Sequence, residues 1–284
     1  MFRIFTDNAA NLPAEVIDRW GLGIVPIRCA REGKELDPFV PFDGKRFYSE
    51  MREGVQMSTS MPSMGTFIDA FTPALEKGQD VLYVGMSGGI SGTAALAYSV
   101  CEELSETFPG RRIAAIDTKG ASLGEGLPVL FAAALKKQGK GFDEVRRLTE
   151  ENCHHMCQVF TVDDLKYLRR TGRLFSAAVK VTNLLNVKPI LMGDKDGHIV
   201  LRLMNVGRKR SLDTLVAKYR DMCSERSAPV GIAHADSEKD AAYVAERLRA
   251  AGCTGEITTV MYEPVTGSHV GPGTVALFFY GPER

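Results

Sequence analysis

Val81-Leu82-Tyr83-Val84-Gly85-Met86-Ser87-Gly88-Gly89-Ile90-Ser91-Gly92-Thr93-Ala94 is the stretch on which the fold turns. Its first residues form an apolar run without polar alternation, which fits a strand covered on both faces, as in a parallel sheet. A Ser/Gly loop follows, then an Ala-rich segment of helical composition. Amides exposed at a helix start, the positive end of the helix dipole and glycines that let a ligand approach the backbone together favour a phosphate or carboxylate at such a place. Ser91 or Thr93 would supply a hydroxyl; Ser91 as a plain helix cap is the alternative reading.

Outward from this unit, residues 2–6, 23–28 and 112–117 read as further short strands, each before a loop or a segment of helical period, and residues 158–162 as a later addition. That alternation marks βαβ units and a parallel sheet. Phe67, Phe71 and Leu75 share a helix face that Pro73 is expected to bend or interrupt. Residues 122–138 are apolar nearly all round, as for a helix packed deep against a sheet. In the second half, residues 188–192 and 198–204 flank the turn-rich Gly193-Asp194-Lys195-Asp196-Gly197 and predict a hairpin. Two amphipathic helices follow, marked by Leu212, Leu215, Val216, Tyr219 and Met222 and by Ala241, Val244, Ala245 and Leu248. Apolar strands are expected at 230–235, 257–262 and 274–280. The fold class is therefore α/β in two domains: a parallel-sheet domain over residues 1–155 carrying the hydroxyl loops, and a smaller mixed α/β domain over residues 156–284.

The composition narrows the function. Thirty-five Lys and Arg cancel 35 Asp and Glu over 284 residues, which removes a global electrostatic case for nucleic acid or an anionic membrane. The longest apolar stretches, 127–135 and 275–280, fall far short of the roughly 20 residues a spanning helix needs. The first residues read as a strand reaching Asp7, not as an export signal. Six cysteines scattered through a chain of this size predict reduced thiols and a cytoplasmic location.

Several catalytic motifs are approached and missed. No lysine follows a glycine in the P-loop pattern, so ATP binding at the Ser/Gly loop is not expected. Gly89-Ile90-Ser91-Gly92-Thr93 nears the nucleophile elbow, but Thr93 stands where the second glycine belongs. Gly124-Glu125-Gly126 begins a dinucleotide fingerprint that Val129 breaks. A second hydroxyl-rich loop, Met57-Ser58-Thr59-Ser60-Met61-Pro62-Ser63, is surrounded by Met51, Met57, Met61 and Met64. The methionines either fill core gaps or wall a flexible hydrocarbon ligand. Gly267-Ser268-His269-Val270-Gly271-Pro272-Gly273-Thr274 reads as a rigid turn presenting His269, to an anion or only to solvent. His154 and His155 sit between Cys153 and Cys157, but adjacent residues point apart and the spacing matches no zinc pattern, so no metal is expected.

Taken together, Thr6-Asp7-Asn8-Ala9-Ala10-Asn11-Leu12-Pro13, Thr59-Ser60-Met61-Pro62-Ser63, Ser91-Gly92-Thr93 and Asp117-Thr118-Lys119-Gly120-Ala121-Ser122 resemble the DegV family of bacterial fatty-acid-binding proteins. The resemblance continues through the run from Asp164 to Arg173, Lys188-Pro189-Ile190-Leu191 and His269-Val270-Gly271-Pro272-Gly273, and so covers essentially the whole chain. It implies one acyl chain buried between the two domains, its carboxyl group held at Thr59, Ser60, Ser91, Gly92 and Thr93 with His269 nearby, and no cofactor beyond that ligand. It also implies a non-catalytic carrier that presents the carboxylate to a separate ATP-dependent fatty acid kinase subunit. Lys166, Arg169, Arg170 and Arg173 cluster around a helix expected to end at Gly172, and Arg169, Arg170 and Arg173 are the candidate docking residues for that subunit, against the plainer reading of solvated cations at a helix end. Met61 replaces a glutamine common in the family, and Leu96-Ala97-Tyr98 also departs from its usual pattern. The rival function is a serine esterase or thioesterase using Ser91 and His269, with Asp7 or Asp117 as the orienting acid.

Overall fold

The computed structural model describes residues 1–37, 41–175 and 186–283. In chain order it runs β1 (Phe2–Asp7), α1 (Ala14–Trp20), β2 (Gly23–Val25), β3 (Arg28–Arg31), β4 (Lys34–Glu35), α2 (Gly44–Arg52), β5 (Met57–Ser60), α3 (Met64–Glu76), β6 (Asp80–Gly85), α4 (Thr93–Thr107), β7 (Ile113–Asp117), α5 (Leu123–Lys137) and α6 (Phe142–Cys153). It continues with β8 (Met156–Thr161), α7 (Lys166–Arg170), β9 (Val187–Gly193), β10 (Ile199–Val206), α8 (Arg208–Met222), β11 (Val230–His234), α9 (Glu238–Ala250), β12 (Ile257–Met261), α10 (Pro264–Val270) and β13 (Val275–Tyr280).

Four parallel strands in the order β2-β1-β6-β7 make the first sheet. Every residue of β6 is buried, because both of its faces are covered. Val81 and Tyr83 pack with Phe67, Phe71 and Val100 on one side, while Leu82 and Val84 pack with Val129, Ala132 and Val145 on the other. The second sheet has six strands in the order β10-β9-β8-β13-β11-β12, antiparallel except for the β11–β12 pair. Its outer face carries α8 and α9 through Leu215, Tyr219, Val244 and Leu248. α5 lies between the two sheets: Leu123 and Leu127 join the core under the second, while Val129, Ala132 and Ala133 join the core under the first. A helix with two apolar partners needs no polar face, which explains its all-round apolar sequence.

Several expectations change on contact with tertiary structure. The strand expected over 23–28 is cut in two. Pro26 offers no N–H to a ladder, and the backbone of Ile27 instead exchanges two hydrogen bonds with the Asn8 side chain, at 2.8 and 3.0 Å. Beyond that break β3 belongs to a separate three-stranded sheet, β4-β3-β5. The hydroxyl-rich run after Met57 starts as strand β5, not as a loop, with Thr59 opposite Cys29. β8 joins the second sheet, not the first, because β13 and β9 flank it. Pro73 does not interrupt α3, which runs through it; the carbonyl four residues back belongs to the exposed Asp69, where solvent is the available partner.

Phe71 is fully buried, with ring centroids 4.9 Å from Phe5, 5.6 Å from Phe67 and 6.2 Å from Tyr83. Phe71→Ala is expected to cost about 3–5 kcal/mol of unfolding free energy, by lost transfer and an unfilled cavity. Chemical denaturation of the two proteins checks this; a loss under about 1 kcal/mol would mean that the aromatic cluster can collapse around the gap.

Candidate ligand-binding site

The order of strands in the first sheet reverses between β1 and β6, so the chain leaves their carboxyl ends in opposite directions and a crevice opens there. At this switch point Asp7 ends β1, and Met86 and Ser87 continue from β6. Asp7 is fully buried and accepts hydrogen bonds from the Tyr83 hydroxyl at 2.6 Å, the Met86 amide at 3.2 Å and the Ala9 amide at 2.9 Å. Burial still outweighs these bonds and raises its pKa.

Beside the crevice lies a cavity of about 320 Å³. Thr59, Ser91, Gly92, His269 and Arg173 supply polar lining, and Ile27, Met86, Phe160, Tyr262, Val265 and Phe278 supply apolar lining. Thr59 Oγ1 lies 2.8 Å from His269 Nε2, and Ser91 Oγ lies 2.8 Å from Thr93 Oγ1. Ser91 Oγ also accepts the Thr93 amide at 3.3 Å, so Ser91, just ahead of the Gly92 that starts α4, holds the entry to the helix and faces the cavity. Thr93 is fully buried behind Ser91 and is not among the cavity's lining residues; Ser60 is exposed and also stands outside the lining. Of the three arginines, Arg173 lines the cavity, whereas Arg169 and Arg170 are exposed outside it. Met61 lines the cavity and its sulfur approaches within 3.1 Å of where a Cβ on Gly92 would stand. Met51 and Met57 belong to the core beneath the second sheet, and Met64 is exposed.

His269 is on a helix, not the expected turn. Glu263 caps α10 by accepting the Val265 and Thr266 amides, the latter at 2.7 Å, and Pro264 starts the helix with a fixed φ and no N–H to satisfy. His269 falls in the last turn. Burial, and then the cations of Arg173 and Arg170, push its pKa down to about 4. A neutral imidazole therefore faces Thr59 at neutral pH. Burial likewise pushes Glu263 up to about 7 and raises Glu125, whose Oε1 accepts from Thr6 Oγ1 at 2.9 Å.

Some lining residues escaped the sequence reading. Gln158, in the apolar strand β8, donates to the Lys119 carbonyl at 3.1 Å and accepts the Ala121 amide at 3.2 Å, so it fixes the loop after β7. A glutamine inside an otherwise apolar strand was the available signal. The tip of the β9–β10 hairpin closes another side: Ser87 Oγ donates to the Gly197 carbonyl at 3.0 Å, and Gly89 sits against the Gly197 backbone. On the same hairpin the ligand atoms of Asp194, Asp196 and His198 lie within 4.8 Å of one another, but Asp194 already accepts the amides of Asp196 and His198.

The arrangement does not assemble a hydrolase relay among the described residues. No hydrogen bond joins Ser91 to His269, and His269 Nδ1 is buried without a hydrogen-bond partner. Asp7 is engaged by Tyr83, and Asp117 by the Lys119 ammonium at 2.8 Å and the Gly88 amide. What the site offers is two hydroxyls, a neutral imidazole and a guanidinium at one part of a largely apolar cavity.

The DegV family model, described as that of an uncharacterised protein family, matches residues 1–281. The chain belongs to the DegV family. A DegV domain-containing protein of Clostridium perfringens is 35% identical over 286 residues, covering 100% of this chain and 98% of its own. Among solved structures, a DegV family protein from Thermus thermophilus described for its fatty acid binding is 28% identical, with a TM-score of 0.89 over 99% of each chain. A DegV lipid-binding protein from Thermotoga maritima is 27% identical, with a TM-score of 0.85 over the full length of both. The α/β architecture, with a parallel N-terminal sheet and a mixed sheet in the C-terminal part, is thus that of DegV proteins.

The depressed pKa of His269 fixes a direction of pH dependence. The unfolded imidazole titrates near 6.5 and the folded one near 4, so its contribution to stability is complete above pH 6.5 and is lost as pH falls toward 4. The His269 ring resonances are expected to titrate near pH 4 by NMR; a midpoint near 6.5 would show the ring to be solvated.

Proposed function

We propose that this DegV protein is a non-catalytic carrier that holds one long-chain fatty acid, with its carboxylate at Thr59, Ser91 and His269 and its tail along the apolar lining. Gly92 and Thr93 belong to the same head site, Gly92 by letting the ligand approach the backbone and Thr93 by orienting Ser91, whereas Ser60, exposed and outside the lining, is left out of it. The observation that carries this reading is the joining of Thr59, from β5, to His269, from α10, in the wall of a cavity whose lining is otherwise mostly apolar. Hydroxyls and a neutral imidazole donate to a carboxylate, and the nearby guanidinium of Arg173 favours its charge. At about 0.8 kcal/mol per buried methylene, a 16-carbon tail contributes on the order of 10 kcal/mol before ordering costs, more than the head group can supply. The fatty acid binding of the Thermus thermophilus relative supports the same ligand class.

The finer parts of the proposal are the partner and the compartment. The carrier presents its carboxylate to a separate fatty acid kinase subunit, which makes the acyl phosphate; exposed Arg169 and Arg170 suit docking, and Arg173 serves the ligand side. Residues 1–155 and 156–284 form its two domains, and the acyl chain lies between them. The few cysteines, scattered through a chain of this size, fit a cytoplasmic location.

Ser91→Ala and Thr59→Ala are each expected to weaken fatty-acid binding about ten- to a hundredfold without unfolding, the loss of one hydrogen bond to a charged group. Displacement of a fluorescent fatty acid measures this, and unchanged affinity in both variants removes the carboxylate from these residues. Arg169→Ala with Arg170→Ala is expected to leave lipid binding intact and to lower acyl-phosphate formation with a cognate kinase, more so at high salt. Parallel loss of both activities would assign these arginines to the fold or the cavity.

A further inference from the structure

The methionine-rich run around β5 divides into side chains of very different surroundings. Of the 11 methionines in the chain, four are exposed: Met1, Met61, Met64 and Met204. Two line the 320 Å³ cavity, Met61 and Met86. Met86 is 6% exposed and Met61 49%. Met61 alone of the 11 is therefore open to solvent and to the cavity at once. Its sulfur stands 3.1 Å from where a Cβ on Gly92 would lie, so the thioether rests on the backbone between Ser91 and Thr93.

A thioether is soft and polarisable, and hydroperoxides oxidise it. A sulfur lone pair attacks the distal oxygen of the peroxide, the O–O bond breaks and an S–O bond forms. The departing oxygen takes up the peroxide proton and leaves as an alcohol, or as water when the oxidant is hydrogen peroxide; sulfur loses two electrons and the peroxide gains them. The flexible apolar side chain becomes a polar sulfoxide, which methionine sulfoxide reductases reverse, one enzyme for each epimer.

We propose that Met61 is an oxidative modification site, at which a sulfoxide set against Gly92 weakens the binding of the fatty-acid carboxylate. The proposal rests on the fatty-acid-binding reading above. A sulfoxide oxygen accepts hydrogen bonds and donates none. Beside Gly92 it sets acceptor against acceptor where the carboxylate is held, and it fills space that the glycine leaves open. Two other methionines act as internal references: Met64 is exposed but outside the lining, and Met86 lines the cavity but is buried.

The test treats the delipidated protein with hydrogen peroxide, follows Met61, Met64 and Met86 by peptide mass spectrometry, and measures palmitate affinity by displacement of a fluorescent fatty acid. Circular dichroism confirms that the treated protein is folded. Met61 is expected to oxidise alongside Met64 and well ahead of Met86, and bound palmitate is expected to slow oxidation at Met61 but not at Met64. Affinity is expected to fall about three- to tenfold in step with the Met61 sulfoxide, the loss of roughly one hydrogen bond, and to return after treatment with both reductases. Each variant is compared with itself before treatment: Met61→Leu keeps its affinity, whereas Met64→Leu loses it as the unsubstituted protein does. An equal loss in Met61→Leu, or Met61 left unmodified while Met64 oxidises, overturns the modification site alone. Absence of palmitate binding by the untreated protein overturns the fatty-acid reading and the modification site with it.

Discussion

A carboxyl group with no access to water governs this molecule. Asp7 ends the first strand inside the protein, where its desolvation is tolerable only because Tyr83, Met86 and Ala9 all donate to it. Those bonds tie the end of β1 to β6 and start the turn that carries Asn8 and Asn11. Asn8 then fixes Ile27, and Asn11 accepts the Glu263 amide at 3.2 Å while donating to Ser122 at 3.0 Å. A chain of polar contacts thus leads from the switch point of the first sheet to α10.

The head site depends on that chain because its residues come from distant parts of the sequence. Thr59 comes from the small sheet, Ser91 from the loop after β6 and His269 from α10. Tyr48 donates to the Tyr262 carbonyl at 2.8 Å, and Cys29 packs against Pro264 from the strand beside Thr59. The segment between β2 and α3 is accordingly fastened to the end of β12 and to α10, and Thr59 meets His269 as a result. No single element brings these donors together.

The legible parts of the sequence were those governed by local rules. The unbroken apolar run of β6, the glycine-rich turn before α4 and the period of α8 and α9 each follow from short-range pattern, and the structure has them. The helix around His269 was hidden because its nucleus is Glu263, an acid that caps from just outside the glycine-proline run that drew attention. The strand character of β5 was masked by its hydroxyls, since pairing with β3 supplied what propensity did not. The placement of Arg173 against the cavity and of its neighbours outside depends on how α7 ends. Gly172, with φ of +68°, turns the chain there, and a run of basic residues does not reveal which one turns inward.

The meeting of Gly89 and Gly197 constrains how this sequence can drift. The hairpin tip reaches the loop after β6 only because neither backbone carries a side chain at the contact, and Gly197 also adopts a φ of +83° that other residues resist. A side chain at either position would lift the tip away from Ser87 and unroof the cavity, although only Gly197 of the two lines it. The two positions are therefore coupled: replacement at one gains nothing from a compensating replacement at the other, since both contribute only by being empty. Relatives that keep this contact should be invariant at the pair.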